Sequence, residues 1–170
     1  ADTRPMTDRA REGVFSSLGT RVPGARVLDL YAGSGSLGLE ALSRGAESAV
    51  FVERGRAALA ALRANVAAVG LGGRVVGGDV GAFLGRAAGP FALVFVDPPY
   101  ALPLASVEQV LGEVARLLAA GGTAVLHRRA GEGLAPPPGL EVADRRRYGD
   151  SEINRLEKNG ARWAQPWCRG

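Results

Sequence analysis

Short apolar runs alternate with longer stretches of helical spacing along most of the chain. Strands are predicted at residues 26–31, 48–52, 75–76, 91–96 and 123–126. Each run is apolar and bounded by glycine, proline or polar residues, as buried strands are. Between the runs apolar side chains recur every three or four positions, for example within residues 59–69, which predicts helices. Alternating strands and helices are typical of an α/β fold with a mainly parallel, doubly wound sheet.

The pattern changes after a proline-rich loop at residues 131–139. Two further strands, at residues 140–148 and 151–158, are separated by a short turn and no helix, which predicts an antiparallel hairpin at the edge of the sheet. The expected fold is one domain of residues 1–158: a Rossmann-like, mostly parallel sheet of seven strands with an antiparallel C-terminal edge hairpin. Residues 159–170 show no clear period, and we expect a tail that is an extension or partly disordered.

Composition excludes several classes of protein. The chain has 170 residues, 46% of them hydrophobic and 22% charged, which suits one compact globular domain. No apolar run is long enough for a transmembrane helix, and the N-terminus does not resemble a signal peptide. Cys168 is the only cysteine, so no intrachain disulfide is possible. We therefore expect a reducing, cytoplasmic compartment, with no membrane partner and no metal.

The charge is positive and carried almost entirely by arginine. The formal net charge is +4, and Lys158 is the only lysine among 21 basic side chains. Arginine suits phosphate recognition, and excess positive charge attracts nucleic acid. A GC-rich genome would also favour arginine over lysine, so charge alone leaves both explanations open.

A glycine-rich loop follows the first predicted strand. Gly33, Gly35 and Gly38 match the pattern G-x-G-x-x-G, and Glu53 ends the second strand about 20 residues later. Glycines let the backbone approach a ligand closely, and an acid at the end of the second strand accepts both hydroxyls of a ribose. Two cofactors fit this pattern: a dinucleotide or S-adenosylmethionine (SAM).

Asp29, close to the end of the first strand, favours SAM. A carboxylate there would repel the pyrophosphate of a dinucleotide, whereas it would attract the sulfonium and ammonium groups of SAM. Asp79 follows the third strand and is expected to accept the adenine amino group. The predicted cofactor-binding residues are Asp29, Tyr31, Ala32, Gly33, Ser34, Gly35, Glu53, Arg54, Asp79 and Val80.

The fourth strand runs into the tetrapeptide Asp97-Pro98-Pro99-Tyr100. Two prolines end the strand and fix the backbone, because neither can donate an N–H group. The Asp97 carboxylate and the Pro98 carbonyl can each accept one N–H of an exocyclic amine, which aims its lone pair at a methyl donor. Tyr100 can stack on a base flipped out of its helix. We assign these four residues, Asp97, Pro98, Pro99 and Tyr100, to catalysis.

With both motifs, the chain resembles the RsmD-type family, bacterial 16S ribosomal RNA methyltransferases that use SAM to modify the N2 amine of one guanine. The similar segments are residues 3–5, 7–9, 11–12, 29–40, 97–100 and 148–150. The resemblance implies that the glycine loop and its acids line the SAM site, and that Asp97 and Tyr100 act on the base. It also implies that Arg4, Arg9 and Arg11 lie beside the cofactor or the RNA. The expected partner is 16S ribosomal RNA in small-subunit particles, and we expect a monomer.

The sequence departs from the family pattern at His127 and leaves other functions open. His127, the only histidine, stands after the fifth strand where the family often has Glu. A histidine at a strand end is more often packed or hydrogen-bonded than catalytic, so we assign it no catalytic role. The Asp-Pro-Pro-Tyr motif does not identify the base that is methylated, which leaves an adenine-N6 DNA methylase or a protein amine methylase as alternatives. An NAD-dependent oxidoreductase and a non-catalytic RNA-binding module are more distant ones.

Overall fold

Seven strands and five α-helices build the part of the chain that the computed structural model describes, residues 5–159. The helices are α1 (Asp8–Leu18), α2 (Ser36–Ser43), α3 (Arg56–Val69), α4 (Val80–Arg86) and α5 (Leu104–Leu117). The strands are β1 (Arg26–Leu30), β2 (Ser48–Glu53), β3 (Arg74–Gly77), β4 (Phe91–Val96), β5 (Leu118–Arg129), β6 (Leu140–Tyr148) and β7 (Ser151–Lys158). None of the helices within residues 5–159 has the length and apolar character needed to span a bilayer.

All seven strands form one sheet in the order β3-β2-β1-β4-β5-β7-β6. The first five strands in this order pair in parallel, and β7 pairs antiparallel with both β5 and β6. The prediction of a mostly parallel sheet with an antiparallel C-terminal hairpin is therefore confirmed. The tail beyond Asn159 lies outside the described residues.

Two elements differ from the sequence prediction. Helix α4 has only seven residues, too few for a periodic apolar pattern to be visible, and it was not predicted. Strand β5 has 12 residues instead of the four predicted, and it begins directly after α5. Gly121 and Gly122 lie inside β5, where the pairing with β4 changes register between Phe91 and Leu93. A bulge of this kind uses glycine because it needs unusual backbone angles, and φ of Gly121 is +77°.

The sheet is covered on both faces. Helices α1, α2 and α3 pack on one face, where the buried sheet side chains include Val27, Phe51 and Phe95. Helices α4 and α5 pack on the other, against a layer that includes Leu28 and Val94. Strands buried on both faces need apolar side chains at successive positions, which explains the continuous apolar runs of β1 and β4.

The order of the strands reverses between β1 and β4, since β2 and β3 lie on one side of β1 and β5 lies beyond β4. Leu30 pairs with Val96 in this register, so the segments that leave the two strands begin side by side. In sheets of this kind ligands bind beyond the carboxyl ends of the strands at such a reversal. The fold thus brings Tyr31 and Asp97 to the mouth of one crevice.

Candidate active site

A cleft of about 1010 Å³ opens beyond the carboxyl ends of β1 to β4. Eight predicted cofactor-binding residues line it: Tyr31, Ala32, Gly33, Ser34, Glu53, Arg54, Asp79 and Val80. All four predicted catalytic residues line it as well: Asp97, Pro98, Pro99 and Tyr100. The structure therefore brings both motifs of the sequence to one cavity, although they are separated by more than 60 positions in the chain.

Glu53 and the glycine loop form one hydrogen-bonded unit on the cofactor side of this cleft. The Gly33 N–H donates to Glu53 Oε1 at 2.9 Å, and the Gly55 N–H donates to Glu53 Oε2 at 2.6 Å. Two backbone donors fix the carboxylate, yet each oxygen keeps acceptor capacity for a ligand. Gly33 has a φ of +58°, and a Cβ placed on it would meet no protein atom within 4 Å. The backbone at Gly33 therefore faces open space in the cleft.

Tyr31 turns the chain out of β1. Its φ of +58° is the only positive value at a non-glycine residue within residues 5–159. Such a conformation is unfavourable by roughly 1 kcal/mol or more and is found most often at functional sites. Burial raises the pKa of the Tyr31 hydroxyl, and the charge of Asp79 acts in the same direction. The hydroxyl therefore remains protonated at neutral pH and can serve as a donor at the cleft wall.

Asp29 was predicted to bind the cofactor, and it is not among the residues that line the cleft. Its side chain is buried, and its Oδ2 accepts the backbone N–H of Gly38 at 3.0 Å. That N–H belongs to the first turn of α2, whose donors have no partner within the helix. Burial raises the pKa of Asp29 well above its ordinary value, and the charges of Asp97 and Glu53 raise it further, against the lowering effect of the Gly38 bond. Asp29 thus holds the loop from inside the protein.

The other two glycines of the motif serve packing. A Cβ on Gly35 would stand 2.5 Å from Leu62, and a Cβ on Gly38 would stand 2.4 Å from Phe51. Gly35 is therefore not among the residues that face the cleft, although it was predicted to bind the cofactor. Gly38 lies where α2 approaches Phe51 of β2, and Gly35 lies where the loop approaches Leu62 of α3. Of the three motif glycines, only Gly33 borders the cavity.

Asp79 stands at the rim, where it also starts a helix. Its Oδ2 accepts the N–H of Ala82 at 2.9 Å and so caps α4. Its Oδ1 lies 3.9 Å from a guanidinium nitrogen of Arg54. The side chain is 60% exposed, so it can reach a ligand at the outer end of the cleft.

Residues of β5 hold the Asp-Pro-Pro-Tyr segment in place. His127 Nδ1 lies 2.8 Å from Asp97 Oδ1. The Arg128 guanidinium donates to the carbonyl oxygens of Pro99, at 2.9 Å, and Leu102, at 3.0 Å. Arg128 is buried and is paired through two nitrogens with Glu132, at 2.8 and 3.0 Å. The backbone of the motif is therefore fixed by a buried, charge-assisted network.

Sequence reasoning missed the part that His127 and Arg128 take in this site. His127 is packed and hydrogen-bonded, as predicted, but its partner is the proposed catalytic carboxylate. The positions of the two residues in the sequence could have revealed this contact. Asp97 directly follows the fourth predicted strand and His127 directly follows the fifth, and adjacent parallel strands end at the same edge of a sheet. The Arg129 guanidinium lies 5.1 Å from the centre of the Tyr100 ring, a cation–π distance.

Of the arginines expected near the cofactor or the RNA, the structure places Arg11 at the cleft. Arg11 lines the cleft and pairs with Glu40 at 3.2 Å and with Asp8 at 3.0 Å. Arg9 lies in α1 but does not line the cleft. Arg4 lies outside the described residues.

The mostly parallel sheet with its antiparallel C-terminal hairpin is the Rossmann-like fold of SAM-dependent methyltransferases. A structure described as "A putative sam-dependent methyltransferase from Streptococcus mutans" shares the fold, with a TM-score of 0.75, 13% identity and coverage of 90% of this chain and 49% of that one.

The sequence model of the family described as "Conserved hypothetical protein 95" matches residues 1–157, and the chain belongs to this family. The predicted resemblance to RsmD-type proteins is confirmed. "Ribosomal RNA small subunit methyltransferase D" of Escherichia coli (strain K12) is 46% identical over 98 residues, 57% of this chain and 50% of that protein. A structure described as "Putative methyltransferase yhhF from Escherichia coli" gives a TM-score of 0.84 at 32% identity, covering 92% of this chain and 88% of that one. The chain spans about half the length of the curated relatives that it matches.

Proposed function

We propose that this protein transfers a methyl group from SAM to the exocyclic N2 amine of a guanine in 16S ribosomal RNA, within small-subunit particles. The observation that carries the proposal is the single cleft that Glu53 and Gly33 share with Asp97, Pro98 and Tyr100. One part of this cleft suits a nucleoside cofactor, and the other offers acceptors to an amine. Transfer between two bound molecules requires such a common cavity.

The residues of the cleft fit SAM better than a dinucleotide. The Glu53 carboxylate lies directly against the Gly33 N–H, where a dinucleotide would place its pyrophosphate, and like charges would repel. Asp79 and Asp97 add negative charge around the same cavity, which favours a cationic ligand. Glu53 would hold the ribose hydroxyls, and Asp79 would accept the adenine amino group. When bound, SAM supplies an electrophilic methyl group on a sulfonium.

Asp97 and the Pro98 carbonyl would orient the amine. His127 contacts Asp97 Oδ1, and Oδ2, which lacks this contact, would accept one N–H of the substrate while the Pro98 carbonyl accepts the other. Two acceptors draw the nitrogen toward tetrahedral geometry and direct its lone pair to the methyl group. Tyr100, whose ring borders the same cleft, would stack on the base. The gain comes from positioning and electrostatics, and the surplus proton leaves to Asp97 or to water.

The choice of RNA and of guanine rests on the family rather than on the chemistry of the cleft. The name of the Escherichia coli relative refers to small-subunit ribosomal RNA. A net charge of +4 supports a polyanionic substrate, and Arg11 at the rim of the cleft is suited to a phosphate. We propose that the protein acts as a monomer, with no metal.

Methyl transfer followed by nucleoside analysis tests the proposal. The protein is incubated with isotope-labelled SAM and, in parallel, undermethylated small ribosomal subunits, free 16S RNA and duplex DNA. We expect N2-methylguanosine in the RNA of the subunits and no label with Asp97→Ala. Label at N6 of adenine in DNA would support the alternative methylase, and tighter binding of NAD than of SAM would overturn the cofactor assignment.

A further inference from the structure

The Asp97 carboxylate is held by a residue that does not line the cleft. His127 Nδ1 lies 2.8 Å from Asp97 Oδ1, and the His127 side chain is 3% exposed. Asp97 is 25% exposed and borders the cavity. His127 therefore contacts the proposed catalytic carboxylate from within the protein and does not reach a ligand itself.

The pairing of the strands fixes this contact. Val96 of β4 pairs with Leu126 of β5, so Asp97 and His127 are the next residues in the same register. On its other side, His127 pairs with Ile153 of β7. Since β5 lies between β4 and β7, the imidazole has little freedom to move away from Asp97.

The chemistry of the two groups decides which of them donates. An ionised carboxylate has acceptor sites only, so a hydrogen bond at 2.8 Å requires the proton on His127 Nδ1. This bond fixes Oδ1 of Asp97, and it therefore also fixes the orientation of Oδ2, the carboxylate oxygen without this contact.

We propose that His127 is a positioning residue for methyl transfer: its Nδ1–H holds Asp97 Oδ1 and so presents Oδ2 to the substrate amine. This inference rests on the proposed function. The ring of His127 also lies 6.0 Å from that of Tyr100, so the same imidazole packs beside the ring proposed to stack on the base. Residues that orient a reacting group from a second layer typically change rates about 10- to 100-fold when they are removed.

The test begins with the wild-type protein and needs no substrate. His127 is the only histidine in the chain, so nitrogen NMR of the imidazole reports this residue alone. We expect the signature of a protonated Nδ1 at neutral pH, and a change of that signature in Asp97→Ala. An unprotonated Nδ1, or a signal that does not change in Asp97→Ala, would overturn the proposal.

Three variants then separate orientation from packing. His127→Asn keeps an N–H donor close to the Nδ1 position, His127→Gln places its amide farther out, and His127→Leu has no donor. We expect kcat to fall about 10- to 100-fold in His127→Leu and His127→Gln, with the SAM Kd unchanged. In His127→Asn we expect kcat to stay close to that of the wild type.

Two outcomes refute different parts of the account. Full kcat in His127→Gln, or equal losses in His127→Asn and His127→Gln with both variants folded, would refute the positioning role while leaving the proposed function intact. A wild-type protein with a protonated Nδ1 that transfers no methyl group to ribosomal RNA would refute the proposed function. If His127→Leu does not fold, the comparison of His127→Asn with His127→Gln still decides.

Discussion

The Gly33 N–H donates to the Glu53 carboxylate at 2.9 Å, which joins the loop after β1 to the end of β2 across 20 positions of the chain. The Gly55 N–H donates to the second oxygen of the same carboxylate. A side chain held by the backbone on both oxygens is fixed before any ligand arrives. Preorganised acceptors of this kind lower the entropy lost on binding.

Glu53→Ala is therefore expected to weaken SAM binding. The loss of a charged acceptor for ribose hydroxyls corresponds to about 1.5–3 kcal/mol, or at least tenfold in Kd. Calorimetric titration with SAM measures it. Glu47→Ala is the matched control, since Glu47 is at the surface and does not line the cleft. Equal affinities of wild type and Glu53→Ala would remove the role assigned to Glu53.

Asp29→Asn is expected to change how stability depends on pH. Because burial raises the folded-state pKa of Asp29 above its unfolded value, the unfolded chain loses this proton first as pH rises. The wild type therefore loses stability with rising pH from about pH 4, with a slope of about 1.4 kcal/mol for each pH unit, until pH passes the folded-state pKa. Asn keeps an acceptor for the Gly38 N–H but does not ionise, so its variant lacks this loss.

Urea unfolding of both proteins between about pH 4 and pH 7 measures this difference. We expect the free energy of unfolding of Asp29→Asn, relative to wild type, to increase with pH. A constant difference for Asp29→Asn would contradict the raised pKa.

Arg128→Met is expected to damage both stability and transfer. It removes the donors to Pro99 and Leu102 and leaves the Glu132 carboxylate without its partner, a loss of about 3 kcal/mol for a buried pair. Arg116→Met is a matched control, because Arg116 also donates to two carbonyl oxygens and one glutamate but is half exposed, and these acceptors lie outside the motif. Chemical unfolding and measurement of kcat should distinguish the two variants. A kcat that is equally low in both would show that general destabilisation, and not the loss of support for the motif, lowers the rate.

Arg11→Ala is expected to weaken RNA binding and to make the RNA affinity less dependent on salt concentration. One phosphate contact contributes about 0.7 to 0.9 to the slope of log affinity against log salt concentration. Filter binding over a range of salt concentrations measures this slope. Arg74→Ala, at an exposed position of the edge strand β3, should leave it unchanged. An unaltered slope for Arg11→Ala would place the RNA elsewhere.

The sequence predicted the elements whose patterns are long or strongly apolar. The bounds of β4, β6 and β7 agree with the predicted residues. Strand β4 is a continuous apolar run, and the turn at Gly149 and Asp150 separates β6 from β7. Helix α4 is short and starts directly after Asp79, so no full period of apolar positions indicates it. The length of β5 depends on pairing with two neighbours: Leu118 pairs with Phe91 of β4, and residues 127–129 pair with β7. These are tertiary contacts, which leave no local pattern.

Within the site, the sequence identified the residues but not the direction of each side chain. Asp29 and Asp97 both lie near strand ends, yet Asp29 is one position inside β1 and points into the protein. Successive side chains of a strand point to opposite faces. A shift of one position along the strand therefore decides whether a carboxylate supports the loop from inside the protein or lies in the cleft. The positions of Asp97 and His127 after neighbouring strands indicate that they are close, but the bond itself depends on the register of β4 against β5.

The most direct test of the shared cleft is a crystal structure of the protein with S-adenosylhomocysteine, the product left after methyl transfer. We expect the ribose hydroxyls against Glu53, the adenine toward Asp79, and the sulfur on the side of the cavity that borders Asp97 and Pro98. A ligand bound outside the cleft, or one whose sulfur faces away from Asp97, would contradict it.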